Sequence, residues 1–226
     1  MTAPIVVHHL ENSRSQRVLW LLEELGLDYE VVRYARDRNT LLAPPALRAV
    51  HPLGRAPVVV DSGDVLAETG AIIETLLERH DAGATLVPPT GTAERLRWRY
   101  WLHFAEGSAM PPLLMSLVFA RIRSAPLPFF VRPIARAIAD RTMAGFVQPQ
   151  IDANLAHMEA ALSEHAWFAG DAFSAADIQM SFAAEAAAAR TDLSARPRLQ
   201  AWLERIHARP AYVRALARGG PYSLLR

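Results

Sequence analysis

Residues 12–17 hold the densest run of chemically capable side chains: Asn12, Ser13, Arg14, Ser15, Gln16 and Arg17. Ahead of them lies Ile5-Val6-Val7, short, apolar and β-branched; behind them come Val18, Leu19, Leu21, Leu22 and Leu25 at helical spacing. The order predicts a strand, a tight loop and a helix, with Asn12 or Ser13 at the helix N-cap. Bare N–H groups and the positive end of the dipole make a helix N-terminus a good place for an anion, a thiolate included. An ordinary serine cap fits the same residues, so taken alone they leave both readings open.

A second group lies further on. Glu68 and Thr69 open a predicted helix over 68–79, whose apolar face carries Ile72, Ile73, Leu76 and Leu77. Helix N-terminal N–H groups and a threonine hydroxyl can hold a carboxylate, and Glu68 can answer an ammonium. Arg14, Arg38, His51 and Arg55 are candidate partners for another carboxylate, although surface arginines and a turn-capping histidine are common. The eight histidines show no metal-ligand spacing, so no metal is expected.

The elements that must position these residues fall into two parts. Residues 4–80 alternate strand and helix: strands at 5–7, 29–32, 56–61 and 65–66, helices at 14–25 and 68–79, and one helical turn at 46–50. The order is βαβ then ββα. A Gly- and Pro-containing stretch, 81–92, reads as a linker. Beyond it strand patterns vanish, and 94–123, 129–162, 174–190 and 197–209 read as helical. Pro111-Pro112 and Pro149 should kink or split the first two. The expected division is residues 1–82 and residues 93–226.

Composition narrows the function. The 226 residues suffice for a substantial core, and the formal net charge of +1 gives no electrostatic case for nucleic acid or an anionic membrane. All 24 basic residues are arginine. Cysteine is absent, which excludes disulfides, thiolate metal sites and a cysteine nucleophile. The N-terminus lacks a signal-peptide pattern, and the apolar run 107–120 is too short to span a bilayer. A cytoplasmic protein is expected.

Four motifs in order resemble the cytosolic glutathione transferase superfamily. They are Asn12-Ser13-Arg14-Ser15-Gln16-Arg17; His51-Pro52-Leu53-Gly54-Arg55-Ala56-Pro57-Val58; Glu68-Thr69-Gly70-Ala71-Ile72; and Phe173-Ser174-Ala175-Ala176-Asp177-Ile178. Leu41-Leu42-Ala43-Pro44-Pro45 and Ala105-Glu106-Gly107-Ser108 further resemble the GTT-type branch of fungi and bacteria. The resemblance covers nearly the whole chain. It implies a thioredoxin-like βαβ–ββα domain followed by an all-helical domain that contributes the hydrophobic substrate pocket.

It also implies glutathione as co-substrate and a small hydrophobic electrophile as its partner, with a homodimer as the working unit. Pro57 would follow a cis peptide bond, turning the Ala56 backbone outward to pair with the cysteinyl part of glutathione. Glu68 and Thr69 would hold the γ-glutamyl end, and His51 and Arg55 are candidates for the glycyl carboxylate. Ser13 would donate a hydrogen bond to the thiolate, with Asn12 the rival donor and Ser15 a weaker one. Glutathione-dependent peroxidase activity and a non-catalytic binding role are the alternatives to conjugation. The stripe of Trp98, Tyr100, Trp101 and Phe104, continued by Met110, Leu114 and Met115, would divide between core, dimer contact and electrophile pocket. Ser174 and Asp177 would form a capping box with no part in the chemistry.

Overall fold

The structure, a computed structural model, describes residues 4–37, 40 and 42–224. Arg38 and Leu41 lie outside the described residues. Four strands, β1 (Ile5–Leu10), β2 (Tyr29–Tyr34), β3 (Val58–Asp61) and β4 (Asp64–Ala67), form one sheet in the order β2-β1-β3-β4. β1 runs parallel to β2, with Val7 beside Val31, and antiparallel to β3, with Val7 beside Val59; β3 and β4 form a hairpin. Helices α1 (Ser15–Glu24), α2 (Ala46–Val50) and α3 (Thr69–His80) connect or follow these strands. The βαβ–ββα order expected from the sequence is present.

Among the described residues seven further helices follow: α4 (Ala93–Phe104), α5 (Met110–Ser124), α6 (Arg132–Thr142), α7 (Gln148–Glu164), α8 (Ala175–Ala188), α9 (Pro197–His207) and α10 (Pro210–Gly219). The sequence reading stopped at α9. Pro210 restarts the helix at its first turn, where a missing N–H costs nothing, and α10 packs along α1. The Ala-rich α8 is buried on nearly every side. Its small side chains let α1, α4 and α9 approach closely, and one continuous core runs from Val7 and Val59 through Trp20 to Trp202. Among the described residues, no helix is long and apolar enough to cross a membrane.

The prolines split the long helices as expected, through a wide π turn. Pro111 and Pro112 have no N–H to give the carbonyls of Gly107 and Ser108. The chain widens at Ala105–Ala109, where the Met110 N–H reaches back to the Ala105 carbonyl. Asn154 Nδ2, from α7, donates to the Ser108 carbonyl at 2.9 Å and fills one of the two gaps. A second π turn, Met143–Val147, precedes Pro149 in the same way.

Ser174 and Asp177 close the capping box at the start of α8. Asp177 accepts from the Ser174 N–H at 3.0 Å and from the Ser174 hydroxyl at 3.3 Å. Ser174→Ala should cost about 1 kcal/mol of stability, read by thermal unfolding, while the folded fraction keeps its specific activity. A large fall in turnover at unchanged melting temperature would give Ser174 a functional role instead.

Candidate active site

The loop after β1 differs from the expected cap. α1 begins at Ser15, its N-cap position is Arg14, and no side chain caps it. The reason is the preceding turn: Asn12 takes a φ of +50°, uncommon outside glycine, and puts Ser13 one residue too early to cap. Ser13 closes the first turn in another way. Its Oγ accepts from the Ser15 N–H at 3.2 Å and its carbonyl from the Gln16 N–H at 3.2 Å, while the Arg14 carbonyl takes the Arg17 N–H at 3.1 Å. The first amides of α1 are therefore occupied, and a thiolate there depends on side-chain donors more than on the helix end.

A cavity of about 870 Å³ opens beside this loop. His51, Arg55, Ala56, Pro57, Glu68 and Thr69 all line it, joined by Arg14, Glu106 and Leu114. Asn12 and Ser13 do not line it; they belong to the loop that also presents Arg14 to it. The Ala56–Pro57 peptide is cis, as the motif implied. His51 Nδ1 accepts from the Leu53 N–H at 3.4 Å, which is the turn-capping role, while the Arg55 side chain is exposed.

Two features mark the start of α3. Thr69, Gly70 and Ala71 make its first turn and line the cavity, so N–H groups without intrahelical partners lie at the wall. Glu68, just before them, holds φ at +68° and ψ at 122°, a sparsely populated conformation for a residue with a side chain. Such strain persists where the surroundings enforce it, and it gathers at functional sites.

An ion cluster that the sequence reading did not single out ties the site together. Arg17 is 1% exposed; it donates to the Gln179 carbonyl at 2.6 Å, to Thr69 Oγ1 at 3.2 Å and to Glu106 Oε1 at 2.5 Å. Arg14 Nε donates to both oxygens of Glu106, at 2.8 and 2.9 Å. Both guanidinium groups lie over the Phe182 ring. Burial works against the Glu106 carboxylate, but Arg17 and Arg14 outweigh it and hold its pKa below the usual carboxylate range. Glu106 is thus ionised throughout the neutral range, and Arg17 links it to the Thr69 hydroxyl. The motif that carries Glu106, Ala105-Glu106-Gly107-Ser108, was legible; its partners, 89 and 92 residues away, were not.

Asn12 turns toward the C-terminal segment, where its Oδ1 accepts from the Ser223 N–H at 2.6 Å. The aromatic stripe sorts clearly. Trp98, Trp101, Phe104 and Met110 are buried, while Tyr100 and Leu114 are exposed. Among the described residues no group of three or more His, Asp or Glu side chains is placed to hold a metal ion.

Comparison with known proteins places the chain. The family model described as "Glutathione S-transferase, N-terminal domain" matches residues 13–79, and that described as "Glutathione S-transferase, C-terminal domain" matches residues 119–210. The chain is 37% identical to Glutathione S-transferase 3 of Schizosaccharomyces pombe, over 92% of this chain and 84% of that one. It is 32% identical to Glutathione S-transferase 1 of Saccharomyces cerevisiae, over 94% of each. A glutathione S-transferase structure from Actinobacillus pleuropneumoniae superposes with a TM-score of 0.77 at 32% identity, covering 95% of this chain and 92% of that one. A Phanerochaete chrysosporium glutathione transferase, URE2P8, solved with oxidized glutathione, shares the fold at a TM-score of 0.76 and 19% identity, over 97% of this chain and 96% of that one. With its mixed four-stranded sheet, its helical second half and relatives among the yeasts, the chain belongs to the glutathione S-transferase superfamily.

Proposed function

We propose that this glutathione transferase holds glutathione in the cavity at the start of α3 and joins it through its sulfur to a hydrophobic electrophile, with Ser13 as the donor that keeps the sulfur ionised. The observation that carries the reading is convergence on one cavity: the α3 N-terminus with Glu68 and Thr69, and the Ala56–Pro57 edge beside it at the same end of the β3–β4 hairpin. The γ-glutamyl end of glutathione carries an ammonium and a carboxylate on one carbon. The carboxylate meets the first turn of α3 and the Thr69 hydroxyl, and the ammonium meets Glu68. The Ala56 backbone pairs with the cysteinyl amide, and His51 and Arg55 face the glycyl carboxylate. Residues 1–82 supply these contacts; residues 93–226 supply apolar wall, Leu102 and Leu114 among it.

Chemistry then needs a thiolate. A free thiol of pKa about 8.5 is only a few per cent ionised at pH 7. Lowering it by about two units takes roughly 2.7 kcal/mol, and one hydrogen bond to a charged group supplies about 1.5–3 kcal/mol. With the α1 amides occupied, the Ser13 hydroxyl carries most of that. Asn12 is the rival donor: the Ser223 N–H engages its Oδ1, the acceptor end, and leaves Nδ2 as the group to meet a sulfur. The ionised sulfur attacks an electrophilic carbon; the new S–C bond forms as the leaving group departs with its electron pair.

Calorimetry tests the ligand's placement. Thr69→Val and Glu68→Gln should each weaken glutathione binding roughly ten-fold or more, since each loses a charge-assisted contact. Glu68→Gln should leave the melting temperature nearly unchanged, while Thr69→Val should also lower it, because the buried Arg17 loses an acceptor. Unchanged affinity in both variants would move glutathione elsewhere.

The working unit is a two-fold dimer on this reading. α3 gives no support, because Ile72, Ile73, Leu76 and Leu77 are all consumed by the core. Leu96 and Tyr100 do give it: four residues apart on one face of α4, they are 70% and 46% exposed. Light scattering should return about twice the chain mass of 25.0 kDa. A mass near that of one chain across micromolar concentrations would rule the dimer out.

A further inference from the structure

Three buried side chains form a line into the loop. Ser13 Oγ lies 2.7 Å from Ser15 Oγ, and Ser15 Oγ lies 2.9 Å from His9 Nδ1. Ser13, Ser15 and His9 are 5%, 0% and 3% exposed. Each serine hydroxyl has one hydrogen to give and two lone pairs to fill, so the direction of the line decides what Ser13 can do.

Suppose first that Ser15 gives its hydrogen to His9 Nδ1, or to the Leu10 carbonyl at 3.3 Å. Ser13 must then donate to Ser15 to make the 2.7 Å contact a bond, and it has nothing left for a sulfur. Suppose instead that His9 Nδ1 carries the proton and donates to Ser15. Ser15 donates onward to Ser13, and both Ser13 lone pairs are filled, by the Ser15 hydroxyl and by the Ser15 N–H at 3.2 Å. The Ser13 hydrogen is then the one group free to leave the line.

We propose that His9 is held as the Nδ1–H tautomer and that His9 and Ser15 are positioning residues, which aim the Ser13 hydrogen at the glutathione sulfur through a one-way line from His9 to Ser15 to Ser13. The proposal rests on the reading of Ser13 as thiolate donor. Hydrogen bonds aligned head to tail polarise one another, so the line also strengthens the last donor.

The surroundings keep the histidine neutral and still. Burial, helped by the Arg33 guanidinium on β2, brings His9 down to about 4, so the ring is uncharged wherever the bound thiol titrates. From α10, Gly219 packs against it: a Cβ there would come within 3.3 Å of His9 Cε1 and 2.6 Å of Gln16 Oε1. On the loop and α1 side lie Glu11, which takes the Arg36 N–H, and Arg14 and Arg17, both paired with Glu106.

Two measurements test it. Nitrogen NMR of histidine-labelled protein reads the tautomer directly. A protonated Nδ1 with a bare Nε2 on His9 is expected, and the opposite tautomer overturns the proposal. The second is the ionisation of bound glutathione, followed by ultraviolet absorbance and by the acid limb of kcat. Ser15→Ala and His9→Phe should each raise the bound thiol pKa by about one unit, a roughly ten-fold change in ionisation constant, with KM for glutathione within about two-fold of the wild type. His9→Asn, which returns an N–H donor near the Nδ1 position, should recover most of the shift. A merely structural role would lower stability and leave the acid limb in place, and that outcome rejects the line. Should His9→Phe fail to fold, Ser15→Ala, which removes one buried oxygen, and the tautomer measurement decide alone. A raised thiol pKa in Ser13→Ala with none in Ser15→Ala or His9→Phe would reject the line and keep Ser13 as donor. No change in Ser13→Ala would reject the donor reading itself.

Discussion

Ser13→Ala is expected to lower turnover at pH 7 roughly ten-fold or more, while glutathione affinity and fold are retained. The hydroxyl contributes about 1.5–3 kcal/mol to the thiolate over the thiol, which moves the acid limb of the rate profile up by about one to two pH units. The sign is fixed by which form the donor favours. Below the wild-type thiol pKa both proteins are mostly thiol and both slow down, and the fold loss has its full value; between the two pKa values it shrinks as the variant's thiol ionises. Above about pH 8.5 free thiol ionises without help and the variant catches up. Kinetics from acid to alkaline pH with one good electrophile, alongside absorbance of the bound thiolate, measure the shift. Equal rates in Ser13→Ala and a collapse in Asn12→Ala would hand the donor role to Asn12.

Asp177→Ala is expected to cost roughly 3 kcal/mol or more of stability, the largest such effect of any single change considered. Asp177 is fully buried and collects donors from three segments. Its Oδ1 accepts from the Phe168 N–H and from Trp202 Nε1, both at 3.0 Å, and its Oδ2 accepts from the Ser174 N–H at 3.0 Å. Burial pushes its pKa up to about 6, against the pull of those donors, so at neutral pH it is ionised and the contacts are charge-assisted. Alanine leaves three buried donors without an acceptor, at about 1–3 kcal/mol each before relaxation. For a chain of this size about 2–4 °C of melting temperature goes with each kcal/mol, so a fall of roughly 6–12 °C should appear in thermal unfolding near pH 7.5. The folded fraction should turn over normally. A melting temperature within about 2 °C of the wild type would mean that water or backbone shifts satisfy these donors.

The order of elements was legible because it depends on local pattern. β-Branched runs, helical spacing of leucines, and Gly-, Pro- and Ser-rich breaks mark each boundary within a few residues. The motif residues His51, Arg55, Ala56, Pro57, Glu68 and Thr69 were legible for the same reason, and they do share one cavity. The capping box of Ser174 and Asp177 is likewise a matter of four adjacent residues. Errors came at edges where local signals compete. The turn at Asn12 moved the helix start to Ser15, and Pro210 hid a final helix by reading as a stop when it served as a start.

What the sequence determined by itself, then, is the succession of strands and helices and the loop ends that carry polar groups. Those follow from interactions within a few residues, which spacing records. Tertiary structure alone decided that Arg17 is buried between the Gln179 carbonyl, Thr69 and Glu106, and that the hydroxyls of Ser13 and Ser15 line up with His9. A buried charge or hydroxyl is tolerated only where distant segments bring it complementary partners, and nothing in the residues on either side of Arg17 says which segments those will be.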